Sequence, residues 1–396
     1  MLLLLESVCK WAARIGIGLG CVIVGTLCHH HLGLASAAVP VLSVAGLDDP
    51  SMLCHPPGEA GFRIPCTLGT ASSGDWIPTT ITPVPPRDEG AHTIGASNFP
   101  FICDQRWADH HNISVTGLRP LWHWCPESCR LPAFRKLDFC DAVRSRDITG
   151  FLVVGDSLNR LFMTTLAMAL RSERLPDQSD KISAGGEAYL ACGGALRLKF
   201  VRNDILRVQN MSDDNSCATE GKINICQSFM PYLDAGQGYN AVVVNSGAHY
   251  IDDDAYVVSM TVAADAISAR MREAHADSSL MLFRNTVPGS PDCDNFEGSP
   301  PLELGEAESI VASASNKEPE EEYKPGVFKY NWADLKRHNA LAEPIFAARG
   351  FVLLDVYTPT VRRFDSHIGG ADCLHYCIPG PIDHWIRLLQ LALTTS

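Results

Sequence analysis

This chain is short of charge. Charged residues fill 19% of its 396 positions, low for a soluble cytosolic protein, and acidic residues outnumber basic ones 45 to 32. The formal net charge of −13, with no basic stripe to neutralise phosphates, argues against a nucleic-acid partner. Internal repeats and long low-complexity tracts are also absent, so neither a repeat array nor a largely disordered chain fits. An apolar run of unmistakable membrane-spanning length is missing too. Ile15 to Cys28 is uninterrupted but shorter than the ~20 residues a span needs, unless the histidines and the Leu/Ala stretch after it are counted.

What is present begins with 46% hydrophobic residues, ample for a buried core, in a length that allows one large or two ordinary domains. Lys10 and Arg14 precede the apolar run, and no charge follows until Asp48. That asymmetry puts the N-terminus in the cytosol. Residues 1–38 read as a cytosolic tail and signal-anchor; the alternative is a signal peptide cut near Ala35-Ser36-Ala37. Either way the remainder is lumenal or extracellular.

Of 15 cysteines, Cys9, Cys21 and Cys28 lie in this segment, leaving twelve for an exported domain. An even dozen there reads as a disulfide framework, whose connectivity sequence does not give. Cys66, Cys103, Cys129, Cys293, Cys373 and Cys377 are candidate partners, with Cys293 proposed for one of the last two. Asn112-Ile-Ser114 and Asn210-Met-Ser212 are glycosylation sequons, meaningful in the same compartment.

Residues 39–62 form a Pro/Gly-containing stem. Residues 63–149, rich in Cys, Pro, Trp and Gly with little helical pattern, read as a disulfide-tied cap on a catalytic core at 150–396. In that core, short apolar runs predict buried strands at 151–154, 196–201, 241–245, 280–283 and 351–356. Helical patterns lie between or after them, at 158–170, about 255–275, 331–348 and 382–393. The alternation predicts an α/β fold of three layers, a mostly parallel sheet flanked by helices. Ligands of such sheets sit outside the carboxyl ends of the strands. Ser157, Asn245 and Arg284 follow strands directly and should share that rim. Residues 297–326, with the acidic run Glu318-Pro-Glu-Glu-Glu322, read as a solvated loop.

Two distant segments carry the chemistry. Gly155-Asp156-Ser157 closes the apolar run Phe151–Val154 and opens a helical pattern. More than two hundred residues later come Asp372-Cys-Leu-His375-Tyr-Cys377 and Asp383-His-Trp385. A serine needs a base to take its proton, and the base needs a third group to fix its tautomer. Ser157 suits the nucleophile, His375 the base and Asp372 its orienting carboxylate. N–H groups at the helix start can face an oxyanion. The same tripeptide also serves as an ordinary turn and helix cap. Asn245 and Gly247 are candidates for the oxyanion and substrate-binding side, though an Asx turn would use Asn245 equally well. Arg160 either orients a substrate group or makes a structural ion pair, and His249 reads as a hydrogen-bonded wall of the site. Cys373 and Cys377 bracket His375, but in an oxidising lumen they favour disulfides over zinc. No metal is assigned to them or to His29-His30-His31.

These residues resemble the PC-esterase branch of the GDSL/SGNH hydrolase superfamily, and within it the plant trichome-birefringence-like polysaccharide O-acetyltransferases. The resemblance spans roughly 66–390. It rests on Gly155-Asp-Ser-Leu-Asn-Arg160 and on Asp372-Cys-Leu-His-Tyr-Cys-Ile-Pro-Gly380 followed by Asp383 and Trp385. Trp122-His-Trp-Cys-Pro126, Cys129-Arg-Leu-Pro-Ala-Phe134, and Cys66 with Gly74-Asp-Trp76 match further segments. The chain departs from the family where Leu161 follows Arg160, where Tyr376 replaces a Trp, and where the Asn245 segment is one residue longer. These departures bear on acceptor specificity more than on the triad.

The resemblance implies a flavodoxin-like, SGNH-type core, and Ser157, Asp372 and His375 as the triad. It implies single-pass type II topology in the Golgi membrane and transfer of acetyl groups to hydroxyls of a cell-wall or secretory-pathway polysaccharide. No bound cofactor is implied; acetyl-CoA or another acetylated donor enters as co-substrate. A glycine oxyanion donor is implied as well, among Gly185, Gly186, Gly193 and Gly194. Two other functions remain open: an acetyl esterase of glycans using the same triad, and a non-catalytic glycan-binding wall protein.

Overall fold

The computed structural model describes residues 54, 64–79, 103, 121–175, 187–208, 216–219, 222–275, 279–314, 331–370 and 372–395. The N-terminal anchor, all of the stem but Cys54, the sequons at Asn112 and Asn210, the acidic run at 318–322, and Gly185 and Gly186 lie outside the described residues. Among those described, no helix is long and apolar enough to cross a membrane.

In chain order the strands are β1 (Gly74–Thr79), β2 (Leu121–Pro126), β3 (Gly150–Gly155), β4 (Glu173–Arg174), β5 (Glu187–Ala191), β6 (Leu196–Arg202), β7 (Ser216–Thr219), β8 (Lys222–Ile225), β9 (Ala241–Val244), β10 (Leu280–Arg284), β11 (Val352–Leu354), β12 (His367–Gly369) and β13 (Asp372–Tyr376). The longer helices are α1 (Lys136–Ser145), α2 (Ser157–Ala169), α3 (Asp253–His275), α4 (Leu304–Ser313), α5 (Leu335–Ala347) and α6 (Ile382–Thr395).

A seven-stranded sheet in the order β11-β10-β9-β3-β6-β5-β4 forms the centre. Its pairings are parallel from β11 to β6 and antiparallel beyond. Every residue of β3, β9 and β10 is buried. Their continuous Val/Leu/Phe character follows from cover on both faces. Alternate residues of β3 enter opposite cores. Phe151 and Val153 pack with side chains of α1, α2 and α6, while Leu152 and Val154 pack with α3 and Ala342 and Phe346 of α5. The mostly parallel sheet flanked by helices is therefore observed.

Several segments escaped the sequence pattern. α1 lies where little helix was expected, and α4 occupies part of the stretch read as a solvated loop, held down by buried Ala307 and Val311. β5 carries Glu187 and Tyr189 inward as a hydrogen-bonded pair, so its alternation is not purely apolar. The helix expected from 331 begins at Leu335, after a 3₁₀ turn at Trp332–Asp334.

α6 is buried through Leu393 although its sequence is amphipathic. Its polar face is covered by the Cys/Trp-rich segment. Arg387 donates to the carbonyls of Trp124, Leu131 and Pro132, and Gln390 accepts from the Arg135 N–H. The backbone groups of Leu131, Pro132 and Arg135, which lie outside any strand, thereby find partners that a regular ladder would otherwise supply.

All twelve cysteines beyond the N-terminal segment are paired: Cys54–Cys125, Cys66–Cys129, Cys103–Cys377, Cys140–Cys192, Cys217–Cys226 and Cys293–Cys373. The expected framework is there, with Cys293 joined to Cys373.

Candidate active site

β3 ends in Gly155, whose φ of +154° lies where side chains are rarely tolerated. A Cβ there would sit 2.7 Å from Asn159 Nδ2 and 2.8 Å from the Asn245 carbonyl. Only glycine lets the chain turn this tightly between strand and helix. Asp156 then caps α2, its Oδ1 accepting from the Leu158 N–H at 2.9 Å. Ser157 is the first residue of that helix and is half-buried. Asn159 folds back, donating from Nδ2 to the Val154 carbonyl at 2.6 Å.

Register fixes what lies beside this turn. Val154 pairs with Val244, and Val244 with Phe283, so Gly155, Asn245 and Arg284 stand level at the carboxyl edge. The Asn245 N–H donates to the Val154 carbonyl, and its side-chain Nδ2 to the Arg284 carbonyl at 2.9 Å. Asn245 is fully buried, its backbone N–H tying it to β3 and its side-chain amide to β10. Gly247 has φ of +156°, and a Cβ there would lie 2.7 Å from Thr286. Its lack of a side chain lets the post-β9 loop close on the post-β10 loop.

Arg160 resolves to an ion pair. Its Nε and Nη2 lie 2.8 and 2.6 Å from Glu187 Oε1, joining α2 to β5. His249 is held by Asn224 Oδ1 at 2.9 Å and sits 4.0 Å from Asp204. Gly193 and Gly194 lie in the turn before β6, which runs parallel to β3, so they occupy the opposite end of the sheet from Ser157. Neither can donate to an oxyanion at Ser157. Asn203 and Asp204 follow β6 on the Ser157 side instead, the Asn203 N–H bonding the Gly155 carbonyl.

The C-terminal signature forms β13, paired antiparallel with β12. Cys293–Cys373 and Cys103–Cys377 pin it on both sides of His375. The hairpin is moored to the loop leaving β10: Ser290 N–H donates to the Cys373 carbonyl at 2.9 Å, and Tyr376 Oη to the Pro288 carbonyl at 2.8 Å. β13 also packs against α2, the helix that Ser157 opens. The structure therefore brings the Asp372/His375 strand and the Ser157 turn to one edge of the sheet.

Asp372 and His375 are bonded to each other, His375 Nδ1 lying 2.8 Å from Asp372 Oδ2 and 3.0 Å from Oδ1. In a flat strand, positions three apart face opposite ways. Here Asp372 Oδ1 also accepts from the Leu374 and His375 N–H groups at 3.2 and 3.0 Å, an Asx-type turn that bends the chain and brings the ring back. Burial pushes the Asp372 carboxyl up, but the hydrogen bond and charge of His375 outweigh it and hold the group at about 2. A carboxylate facing Nδ1 keeps the proton on that nitrogen and leaves Nε2 basic. Beneath the strand, His367 joins Ser290 Oγ (2.6 Å) to the His375 carbonyl (3.2 Å). Burial lowers its pKa to about 4, so this imidazole is neutral at physiological pH.

Sequence reasoning placed Arg284 on the rim but missed its partners. Its fully buried guanidinium reaches Asn159 Oδ1 at 2.7 Å and lies 4.5 Å from the Trp385 ring centroid. Asn159 and Trp385 both stood in quoted motifs, yet nothing in their spacing pointed to a shared cation.

Cys54, His123 and Cys125 cluster closely enough to hold a metal ion, but the two sulfurs are joined in a disulfide. Cys373 and Cys377 are likewise committed to disulfides.

No protein-family model matches the chain. Among curated proteins it is 23% identical over 315 residues to Xyloglucan O-acetyltransferase 4 of Populus trichocarpa, covering 69% of this chain and 70% of that one. It is 22% identical over 296 residues to Protein trichome birefringence-like 38 of Arabidopsis thaliana, covering 69% and 73%. To trichome birefringence-like 25 of the same plant it is 21% identical over 377 residues, covering 80% and 75%. The resemblance drawn from the motifs, to the trichome-birefringence-like family of PC-esterases, is borne out by these homologues.

Proposed function

We propose that this chain is an O-acetyltransferase that moves acetyl groups onto hydroxyls of a cell-wall or secretory-pathway polysaccharide, through an acetyl-Ser157 intermediate. The supporting observation is the bonded Asp372/His375 pair on a stapled hairpin at the sheet edge where Ser157 opens α2. The O-acetyltransferase among the relatives supports the choice of acyl group and acceptor class.

In this reading, His375 Nε2 takes the Ser157 hydroxyl proton as Oγ attacks the acetyl carbonyl. The tetrahedral oxyanion faces the start of α2. Asp156 already occupies the Leu158 N–H, which narrows the turn's own oxyanion donors toward the Ser157 N–H. Collapse breaks the bond to the donor's leaving group, which receives the proton from imidazolium. A sugar hydroxyl then gives its proton to Nε2 and attacks the acetyl-serine. The acetyl ester forms on the sugar, and Ser157 Oγ recovers the proton.

We read the sheet as the flavodoxin-like, SGNH-type core of this family, and the disulfide framework as the mark of a lumenal site. Residence as a type II protein of the Golgi membrane follows if residues 1–38 anchor the chain; secretion follows if they are cleaved.

Purified protein is incubated with an acetyl donor, with and without neutral oligosaccharides. Acetylated sugar that depends on Ser157 and disappears in Ser157→Ala is the expected result. Acetate release indifferent to added sugar would make the protein an esterase. Sugar binding that persists in Ser157→Ala, with neither activity in the parent, would make it a binding protein.

A further inference from the structure

Arg284 is a buried cation that packing alone does not explain. None of its side chain is exposed, and taking a guanidinium out of water is costly enough that an apolar residue of similar volume would serve a core better. Nε donates to Asn159 Oδ1 at 2.7 Å, Nη1 to the Asn285 carbonyl at 2.9 Å, and the plane rests on Trp385 of α6. Nη2 has no hydrogen-bond partner among the described residues. Burial lowers the pKa to about 10, opposed by the nearby Asp156 and Tyr376, so the group is charged at neutral pH.

What the guanidinium touches is the turn that presents Ser157. Asn159, two residues along, passes the contact on through Nδ2 to the Val154 carbonyl at 2.6 Å. It crosses the turn where Gly155 leaves no room for a side chain. Arg284 thus ties α6 and β10 to the strand end and the helix start at once. From its own backbone it accepts the Asn245 amide. Trp385, which carries the guanidinium, also meets Tyr376, the neighbour of His375, edge to face at 6.5 Å.

Resting on the reading of Ser157 as nucleophile, we propose that Arg284 is a positioning residue which, through Asn159, sets the Ser157 turn against the hairpin that carries His375. Displacing a nucleophile by about 1 Å is enough to cost about 100-fold in rate. The loss should fall on acetylation of Ser157, the step that transfer and hydrolysis share.

The test measures acetyl-enzyme formation by rapid-quench mass spectrometry in Arg284→Met, Arg284→Lys, Asn159→Ala and the Arg284→Met/Asn159→Ala double variant, with Ser157→Ala as reference. The expected result is a fall of about 100-fold in acetylation rate for Arg284→Met and about 30-fold for Asn159→Ala. The KM for donor should move less than about threefold. Arg284→Lys, which keeps a charge and a donor, should recover about tenfold, and the double variant should be no slower than Arg284→Met. If Arg284→Met does not fold, Asn159→Ala, which removes one neutral amide, carries the test alone. Rates within threefold of native per folded molecule, whatever the melting temperature, would overturn the proposal. Activity surviving in Ser157→Ala would instead overturn the functional reading beneath it.

Discussion

Replacing Asp372 by Asn should damage the proposed catalysis by switching the histidine's tautomer, and the hydrogen bonds around the carboxylate say why. Oδ1 accepts from two backbone N–H groups, those of Leu374 and His375, as well as lying near the ring. An asparagine keeps those bonds only with its carbonyl oxygen in that place. Its NH₂ must then stand where Oδ2 stands now, 2.8 Å from His375 Nδ1. It donates to Nδ1, the ring proton moves to Nε2, and the nitrogen that takes the serine proton in the proposed mechanism is no longer basic. A triad with the wrong tautomer loses about 10⁴-fold in kcat. The effect on folding is far smaller. The carboxyl is lowered from 3.8 to about 2, which is about 2 kcal/mol. Its side chain is 38% exposed, and solvent screening leaves about 1 kcal/mol of this. That contribution is complete above the unfolded pKa near 3.8 and is lost as pH falls toward about 2. The assay is acetyl transfer at saturating oligosaccharide, with the melting temperature measured alongside. Asp372→Ala, which imposes no tautomer, should be no worse than Asp372→Asn. An Asn variant within tenfold of native, or clearly better than Ala, refutes the reasoning.

Two further predictions concern stability. Cys293–Cys373 closes 80 residues, and replacing both by Ser should cost about 2–4 kcal/mol; the melting temperature should drop, and kcat should fall more than KM rises because Asp372 and His375 share the loosened strand. On the acid side, buried His367 is lowered from 6.5 to about 4. The unfolded chain therefore binds the extra proton between these values, and stability falls as pH drops below about 6.5. His367 alone accounts for about 3 kcal/mol by pH 4, and buried His123 and His384, also lowered, add to the slope. Urea midpoints from pH 7 to 4 check this, with His367→Gln flattening the curve.

Much of the frame was legible because buried parallel strands announce themselves. Phe151–Val154 and Ala241–Val244 are covered on both faces, and an unbroken apolar run is what such cover demands. The turn at Gly155 and the Asp372/His375 pair could be read for a related reason: each is local, built within a few residues. The rest depends on partners distant in sequence. Leu304–Ser313 sits beside acidic, Pro-rich sequence, and only contact with the core reveals Ala307 and Val311 as buried. Arg160 was legible as a charge, but its partner Glu187 is 27 residues away on a strand with little apolar pattern. The helical pattern of 382–393 gave the helix but not what covers its polar side chains. Arg387 is covered by the carbonyl of Trp124 in β2 and by those of Leu131 and Pro132 in the irregular stretch after it. Periodicity has nothing to say about such a segment.

The division of labour between the two halves of the site has a mechanical consequence. The proposed base His375 and its proposed orienting carboxylate Asp372 are three residues apart on one strand, joined directly and through two backbone N–H groups. Their mutual geometry survives any rigid shift of the hairpin. The turn that carries Ser157, the proposed nucleophile, is equally self-contained, fixed by the Asp156 cap and the Asn159 bond to Val154. What tertiary structure must supply is one variable, the placement of the hairpin relative to the turn. The attachments fall on that variable: the Cys293–Cys373 disulfide, the Ser290 and Tyr376 bonds to and from the loop after β10, and the Arg284–Trp385 contact. Because β10 anchors both the hairpin loop and Arg284, a displacement of its carboxyl end moves both halves together. Damage confined to one attachment should therefore slow acetylation of the serine while leaving the Asp372–His375 bond intact. Imidazole ¹⁵N shifts, unchanged in Asn159→Ala but altered in Asp372→Asn, separate the two kinds of failure.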